Sequence, residues 1–430
     1  MKDLQKLAAL SLAALKDNGA DMAACLVSET VTQEFTAETE GLNLLRTLFD
    51  DSASLTGYAG GRKGSSSVNR LEGSALRSAA ETAMASAAAS LPDDAWEIAK
   101  EGGGALTYGA VDCDLERLFA RTQELIDTVR AQHPTVTVSQ VIALHSVSHT
   151  VYANSYGVVY QITSGCYEFS LEVSGHEGDK TSSLNYSGLL VNDLDRPVLE
   201  QGSMLQTVRD AEALIDPPAL TGKQVGTVVL SPGFLGNMLY EAAELFTGDS
   251  AMINGTALWK DKLGQQVADS AITFGSRPLD SRIVGGDRVT GEGYPAEDYT
   301  IVERGVLKQM TLSRYGANKT GLPPAGNSEL HLVMEPGETP LADLIRGIDY
   351  GILAGYFSGG QPGSSGDFSG VAKNSYLIDH GVLKPISEVM VSGNLAEMLN
   401  HVVAISRETQ CDGDSVLPWA AFDGVTISGS

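Results

Sequence analysis

Apolar and polar positions along the chain change period several times, and each change marks an element. Between Leu7 and Leu15 alanine and leucine fill nearly every position, and Gly19 follows as a cap, which predicts a helix. Residues 22–36 are β-branched and partly alternating, the mark of a strand, and the Gly-punctuated stretch 55–64 predicts more strand. An alanine-rich helix is expected over residues 72–90, stopped by Pro92. The order then recurs. A helix is expected from about Asp114 to Gln132, ended by Pro134, followed by strands at 136–144 and 150–153. The turn Asn154-Ser-Tyr-Gly157 leads into strands at 158–162 and 167–173, and a helix at 204–215 follows. Helix, β-hairpins, helix, repeated at a spacing of roughly 110 residues, suggests a diverged internal duplication.

The clearest boundary is Asp216-Pro217-Pro218-Ala-Leu-Thr-Gly222, where two prolines end the helix and stiffen the link. It divides the chain into an N-terminal α+β domain, 1–218, and a strand-rich C-terminal domain, 219–430. Within the first, two similar subdomains are expected at about 1–110 and 111–218. In the second, strands are expected at 227–230, 299–302 and 375–378, with turns at Arg304-Gly305 and Asp379-His-Gly381, and helices at 235–246 and 395–405. Mixed elements without regular βαβ units make the fold class α+β.

Composition narrows the function classes. The chain has 430 residues, with 54 acidic against 29 basic side chains and a net charge of −25. Such a balance argues against non-specific nucleic-acid binding and against docking on an anionic membrane. No apolar run approaches the ~20 residues a membrane span needs. The four cysteines form no CxxC, so free thiols in a reducing cytoplasm are the simple reading. The first residues resemble a short signal peptide, but Asp3 and the polar Lys16-Asp17-Asn18-Gly19 without an A-x-A site favour an ordinary helix.

The usual catalytic motifs are missing. None of the seven histidines begins an HExxH, and neither GxSxG nor a Walker A sequence is present. His145 and His149 fall in a strand-like stretch, where i and i+4 lie about 13 Å apart, too far for one metal. The stretch Phe357-Ser-Gly-Gly-Gln-Pro-Gly-Ser-Ser-Gly-Asp-Phe-Ser-Gly370 is the most unusual; its glycines leave bare backbone that a ligand could approach. After Pro232-Gly233, Leu235, Met238, Leu239, Ala242 and Phe246 share one helical face. Tyr240 and Glu241 point away from it, and alone Glu241 reads as a solvated glutamate.

At this helix the sequence resembles the TldD/PmbA family, the so-called modulators of DNA gyrase, which include a TldD–TldE peptidase pair. The zinc-binding members carry an HExxxH in the frame Gly-x-x-Leu-His-Glu-Ala-x-x-His, closed by Gly-Asp. Here the frame reads Gly236-Asn-Met-Leu-Tyr240-Glu241-Ala-Ala-Glu-Leu245, then Gly248-Asp249. Tyr240 and Leu245 stand where the histidines would be. The loop Gly360-Gln-Pro-Gly-Ser-Ser-Gly-Asp-Phe-Ser369, the stretch Gly381 to Met398 and Asp414-Ser-Val-Leu-Pro418 resemble further family segments.

The resemblance implies a PmbA/TldE-type subunit with no metal centre and no cofactor of its own. Neither phenol nor an aliphatic chain replaces neutral imidazole, and Cys411, near the family's third zinc ligand, cannot rescue the site alone. Zinc would be expected only in a TldD-type partner, met as a heterodimer, with a homodimer as the other assembly. The pair would act in the cytoplasm on unfolded or extended peptides, in peptide maturation or antitoxin turnover. Candidate substrate-binding residues are Gly359, Gly360, Asp367, Phe368 and Ser369. Two other readings remain open: an autonomous hydrolase using Glu241, Asp249, Asp367 and His380, and a gyrase-linked regulatory protein without direct contact to nucleic acid.

Overall fold

In the computed structural model, which describes residues 2–39, 41–327 and 329–429, the strands form two sheets, one of eight and one of eleven. The first is built on two long antiparallel hairpins, Met22–Glu38 with Gly41–Ala59 and Val136–Asn154 with Val159–Glu177. Their inner strands pair antiparallel, so the hairpins form one continuous surface. Val31 faces Val147 where they meet; the hairpin partner of Val31 is Phe49 and that of Val147 is Gly165, equally far along the chain in each half. Arg62–Val68 flanks the first hairpin, and Asn185–Val191 and Gly104–Gly109 flank the second.

Side-chain alternation assigns the two faces. Cys25, Val27, Ala53 and Leu55 are buried under the helices Leu4–Asp17 and Gly73–Ala89. Phe35, Ala143, Phe169 and Leu171 are buried under Leu115–Gln132 and Met204–Ala213. These residues share one face, because strand side chains alternate with period two and paired residues point the same way. The other face carries a ladder of hydroxyl pairs across the central strands: Ser28–Thr150 at 2.6 Å, Thr30–Ser148 at 2.8 Å and Thr32–Ser146 at 2.9 Å. His145 and His149 lie within this strand run, which continues from Val136 to Asn154 instead of breaking at residues 145–149. Paired neighbours on both sides hold those polar residues in strand.

The second sheet closes on itself through five strands: Lys223–Leu230, Tyr350–Ser358, Asp367–Asp379, Val389–Asn394 and Val416–Ser428. One face of this ring, with Val228, Leu230, Ile352, Ala354 and Phe422, packs on the helix Pro232–Thr247. Val229, Ile378 and Ala421 point the other way, onto Leu344 and Ile345 of the helix Leu341–Arg346. The helix expected over 395–405 is a four-residue turn, Leu395–Met398, and Val402–Cys411 is a strand. Its apolar spacing fits a helix, but pairing with the last strand prevails, as tertiary context often does over propensity.

The two parts meet along a polar and aromatic seam. Trp96 stacks on Tyr315 with ring centroids 4.0 Å apart, and Lys319 and Tyr315 both donate to the Asp93 carboxylate. Tyr294 and Asn318 donate to Glu97, and the Tyr152 hydroxyl donates to the Glu292 carbonyl.

A Cβ on Gly64 would stand 2.1 Å from the Ala83 carbonyl oxygen and 2.2 Å from the Ala87 nitrogen, so helix Gly73–Ala89 rests directly on that strand. Gly64→Ala is therefore expected to lower unfolding stability by about 2 kcal/mol or more in urea titration, the scale of an overpacked core. Gly363→Ala, at an open position, should change it by less than about 0.5 kcal/mol.

Candidate functional site

Helix Pro232–Thr247 starts where the sequence says it must. The Ser231 hydroxyl accepts from the Phe234 N–H and donates to the Gly355 carbonyl, with Pro232 at the first helical position. Leu235, Met238, Leu239, Ala242 and Phe246 are fully buried, which turns the opposite side outward. Tyr240 is 48% exposed, Glu241 is half-buried, and Leu245 packs against the core. Glu244, helped by burial and by Glu329 and Glu241, holds the Tyr240 phenol above its ordinary pKa. Burial raises Glu241, and burial with Asp249, Glu241 and Glu329 raises Glu244.

The first half of this helix forms part of a groove of about 1150 Å³ between the two sheets. Its walls include Gly236, Asn237 and Tyr240 of the helix, residues 184–190 with Gln206, Thr207, Arg209 and Asp210 from the first sheet's side, and Leu353, Tyr356, Lys373 and Trp419 from the second. The strand Asn185–Val191 turns an edge toward it. Leu190 donates its backbone N–H to the Asp412 carbonyl at 2.8 Å, away from the strand it pairs with. By antiparallel alternation, the N–H and C=O groups of Tyr186 and Gly188 face the same way, into the groove.

Two side-chain contacts tie the walls together. Asn374, at φ +52°, donates to the Asn185 side-chain oxygen at 2.6 Å. The Tyr376 hydroxyl donates to the Asp210 carboxylate at 2.6 Å, and Gln206 donates to the same oxygen at 2.7 Å. Burial pushes the Asp210 pKa up to about 6, against the pull of both donors. Near the groove, His331 Nδ1 lies 3.0 Å from Asp414, while its Nε2 is buried with no hydrogen-bond partner among the described residues. Burial alone would lower this imidazole's pKa; the hydrogen bond and charge of Asp414, with Asp287, raise it instead.

Comparison with known proteins agrees with this architecture. Residues 222–429 match the PmbA/TldA metallopeptidase C-terminal domain, and residues 111–212 match the central domain of the same enzymes. The chain belongs to the PmbA/TldD family. It is 24% identical to the metalloprotease PmbA homolog of Haemophilus influenzae over 402 residues, covering 89% of this chain and 86% of that one. A proposed modulator of DNA gyrase from Bacteroides thetaiotaomicron superposes with a TM-score of 0.82 at 23% identity, covering 100% of both chains. TldE from Thermococcus kodakarensis superposes with a TM-score of 0.80 at 19% identity, covering 97% of this chain and 99% of that one.

The PmbA/TldD signature segments fall at different places around this groove. The loop holding Gly359, Gly360, Asp367, Phe368 and Ser369 is the hairpin between the second and third strands of the closed ring, and it is not part of the groove lining. A Cβ on Gly360 would lie 1.6 Å from the Ser369 carbonyl oxygen, and Gly366 sits against Phe246 at the far end of the motif helix. Phe368 is buried against Phe357. Asp367 accepts from Asn394 and Ser365, which holds its carboxyl below the ordinary range. Asp249 binds Ser313, and His380 is paired with Asp349 in an exposed turn. Asp367 and His380 mark opposite ends of one strand, on the order of 40 Å apart. The structure does not bring Glu241, Asp249, Asp367 and His380 together.

The donor set at the motif helix does not fit zinc. Tyr240 keeps its proton, Leu245 is packed against the core, and the Cys411 thiol, raised chiefly by burial, donates to the Arg282 carbonyl. Among the described residues, no group of three or more His, Cys, Asp and Glu is arranged to hold a metal ion. The residues missed by the sequence reading are those of the groove walls: Tyr186, Gly188, Asp210, Asn374 and Tyr376. Only Asp210 carried a signal, as a carboxylate beside the apolar stripe Met204, Val208 and Ala211.

Asp210 makes the joint pH-sensitive. Its folded-state pKa of about 6 exceeds the ~3.9 of an unfolded aspartate, so its contribution is full below about pH 4 and lost as pH rises through 6. Unfolding free energy should fall by about 2–3 kcal/mol across that window from this group. In Asp210→Asn, denaturant titrations at pH 4 and pH 7.5 should show that part of the fall removed.

Proposed function

We propose that the chain is the PmbA/TldE-type subunit of a TldD-type zinc peptidase, without a metal centre of its own, binding extended peptide substrates. The observation that carries this reading is the groove, in which a strand edge at Tyr186 and Gly188 faces a motif helix whose ligand positions are Tyr240 and Leu245. An extended peptide can add to such an edge through main-chain hydrogen bonds, which tolerate many sequences. Arg209 and Lys373 add positive charge to a lining otherwise rich in carboxylates. Catalysis would come from the zinc of a TldD-type partner, the chain helping to close a shared chamber in the cytoplasm; a homodimer is the other assembly considered. Among the described residues, no helix is long and apolar enough to cross a membrane. The repeated helix–hairpin–helix order and the matching hairpin spacing support duplication within an N-terminal domain of residues 1–218.

Co-purification with an HExxxH homologue tests the main claim. Unfolded casein should be cleaved by the pair at least tenfold faster than by the zinc subunit alone, and not by this chain alone. Stoichiometric zinc in the isolated chain, with casein cleavage, would overturn the non-catalytic reading. Within the pair, Gly188→Pro should raise KM several-fold, because proline fixes φ and removes the N–H that faces the groove. An unchanged KM would remove the Tyr186–Gly188 edge as the binding element.

A further inference from the structure

The groove between the two sheets has ends of opposite charge. At one end the Ser231 hydroxyl donates to the Gly355 carbonyl, the neighbouring Tyr356 pairs with Lys373, and Asn374 donates to Asn185. The first turn of helix Pro232–Thr247, the Lys373 cation and the start of strand Asn185–Val191 therefore lie together. Arg209 lines the groove on the same side, next to the Asp210 carboxylate that accepts from Tyr376. At the other end Leu190 donates to the Asp412 carbonyl, and Glu168 faces Leu190 across the strand pair. Asp414 binds His331 there, and Glu329, two residues before His331, helps to raise the Tyr240 phenol. Helix and strand span the same distance between these ends. The helix rises about 12 Å from Pro232 to Tyr240, and the strand about 13 Å from Tyr186 to Leu190.

Several of these charges are not used within the chain. Glu168 makes no hydrogen bond or ion pair among the described residues, and Asp414 is exposed, with one carboxylate oxygen held by His331. Arg209, also exposed, makes neither contact. Lys373 has Glu388 at 3.5 Å, and the helix N-terminus adds partial positive charge. The open strand edge is short: Tyr186 and Gly188 turn backbone groups to the groove, but at Leu190 the Asp412 loop takes the place of the next partner residue. A peptide added to this edge must end or turn away there, beside Glu168, Asp412 and Asp414. An ammonium group is stabilised in such a place, and a carboxylate is repelled.

We propose that the groove holds an extended peptide in one direction only, antiparallel to Asn185–Val191, with its free amino terminus among Glu168, Asp412 and Asp414. The downstream residues run toward Arg209 and Lys373, where a carboxylate about four residues along meets positive charge. This orientation presupposes the peptide binding proposed above and adds a ligand class to it, peptides with an unblocked amino terminus. Main-chain bonds to Tyr186 and Gly188 are blind to sequence, so selection falls on the chain end more than on the side chains.

Fluorescence anisotropy with the full-length chain tests the orientation, using a hexapeptide of valine and tyrosine with a glutamate near its labelled carboxyl end. At pH 7 the free-amine peptide should bind about tenfold or more tightly than its N-acetylated form, the scale of one charge-assisted hydrogen bond. At pH 9.5 the ratio should close to about twofold, because an α-amino group with a pKa of about 8 is then neutral. An acetylated peptide with lysine as its first residue should bind like the plain acetylated one, which separates the chain end from a side-chain ammonium. Glu168→Gln should cut the pH 7 ratio to about threefold, with the circular dichroism spectrum and thermal midpoint near those of the parent. Arg209→Gln should weaken both peptides alike and leave the ratio as it was. Equal binding of free and acetylated peptides at pH 7, or an unchanged ratio in Glu168→Gln, would overturn the orientation and leave peptide binding standing. No binding of either peptide at millimolar concentration would overturn the peptide-binding proposal itself, and the orientation with it.

Discussion

Burial of the apolar stripe of helix Pro232–Thr247 is the constraint on which the second half of the molecule depends. Five fully buried side chains on one face fix the rotation of the helix, and a sheet that closes on itself gives that face an apolar surface to pack on. Once the rotation is fixed, Tyr240 and Glu241 can only face outward. The groove is therefore a by-product of packing: its floor is the side of the helix that the core does not claim. The hydrogen bonds at Ser231 set the entry of the chain into this arrangement and link it to the strand beneath.

The first sheet supplies the opposing wall, and its contribution depends on the two joints at Asn185–Asn374 and Asp210–Tyr376. Both are short polar contacts between residues more than a hundred positions apart. They hold the Asn185–Val191 edge at a defined place relative to the motif helix. A single buried carboxyl at such a joint couples groove geometry to protonation, because burial disfavours the ionised Asp210 even with two neutral donors on it.

Much of the motif helix was legible in the sequence, since its 3.6-residue period directly reports which side is buried. The glycine loop was legible as an oddity of composition, but its role in space was not. Gly360 and Gly366 are glycines because the hairpin folds back on Ser369 and on Phe246, contacts no local pattern encodes. The groove was invisible because its walls come from many separate segments far apart in the chain, none unusual alone. Residues 395–405 show the limit of periodicity most plainly. Leu395, Met398, Leu399 and Val402 have helical spacing, yet beyond Met398 the chain turns and enters the sheet, where its partners are residues 416–422.

The strand Val416–Ser428 joins Lys223–Leu230 to Val389–Asn394 and so closes the ring on which helix Pro232–Thr247 packs. During synthesis the first sheet can be complete once residue 191 has left the ribosome, but the second cannot close until residue 428 has emerged. At ordinary elongation speeds of ~5–20 residues per second, the stripe from Leu235 to Phe246 waits on the order of ten to forty seconds for its cover. The nascent chain in that interval carries a finished amino-terminal half and a greasy, unfinished remainder. Holdase chaperones would meet this protein chiefly there, and the stability of the finished fold gives no protection against losses at that stage.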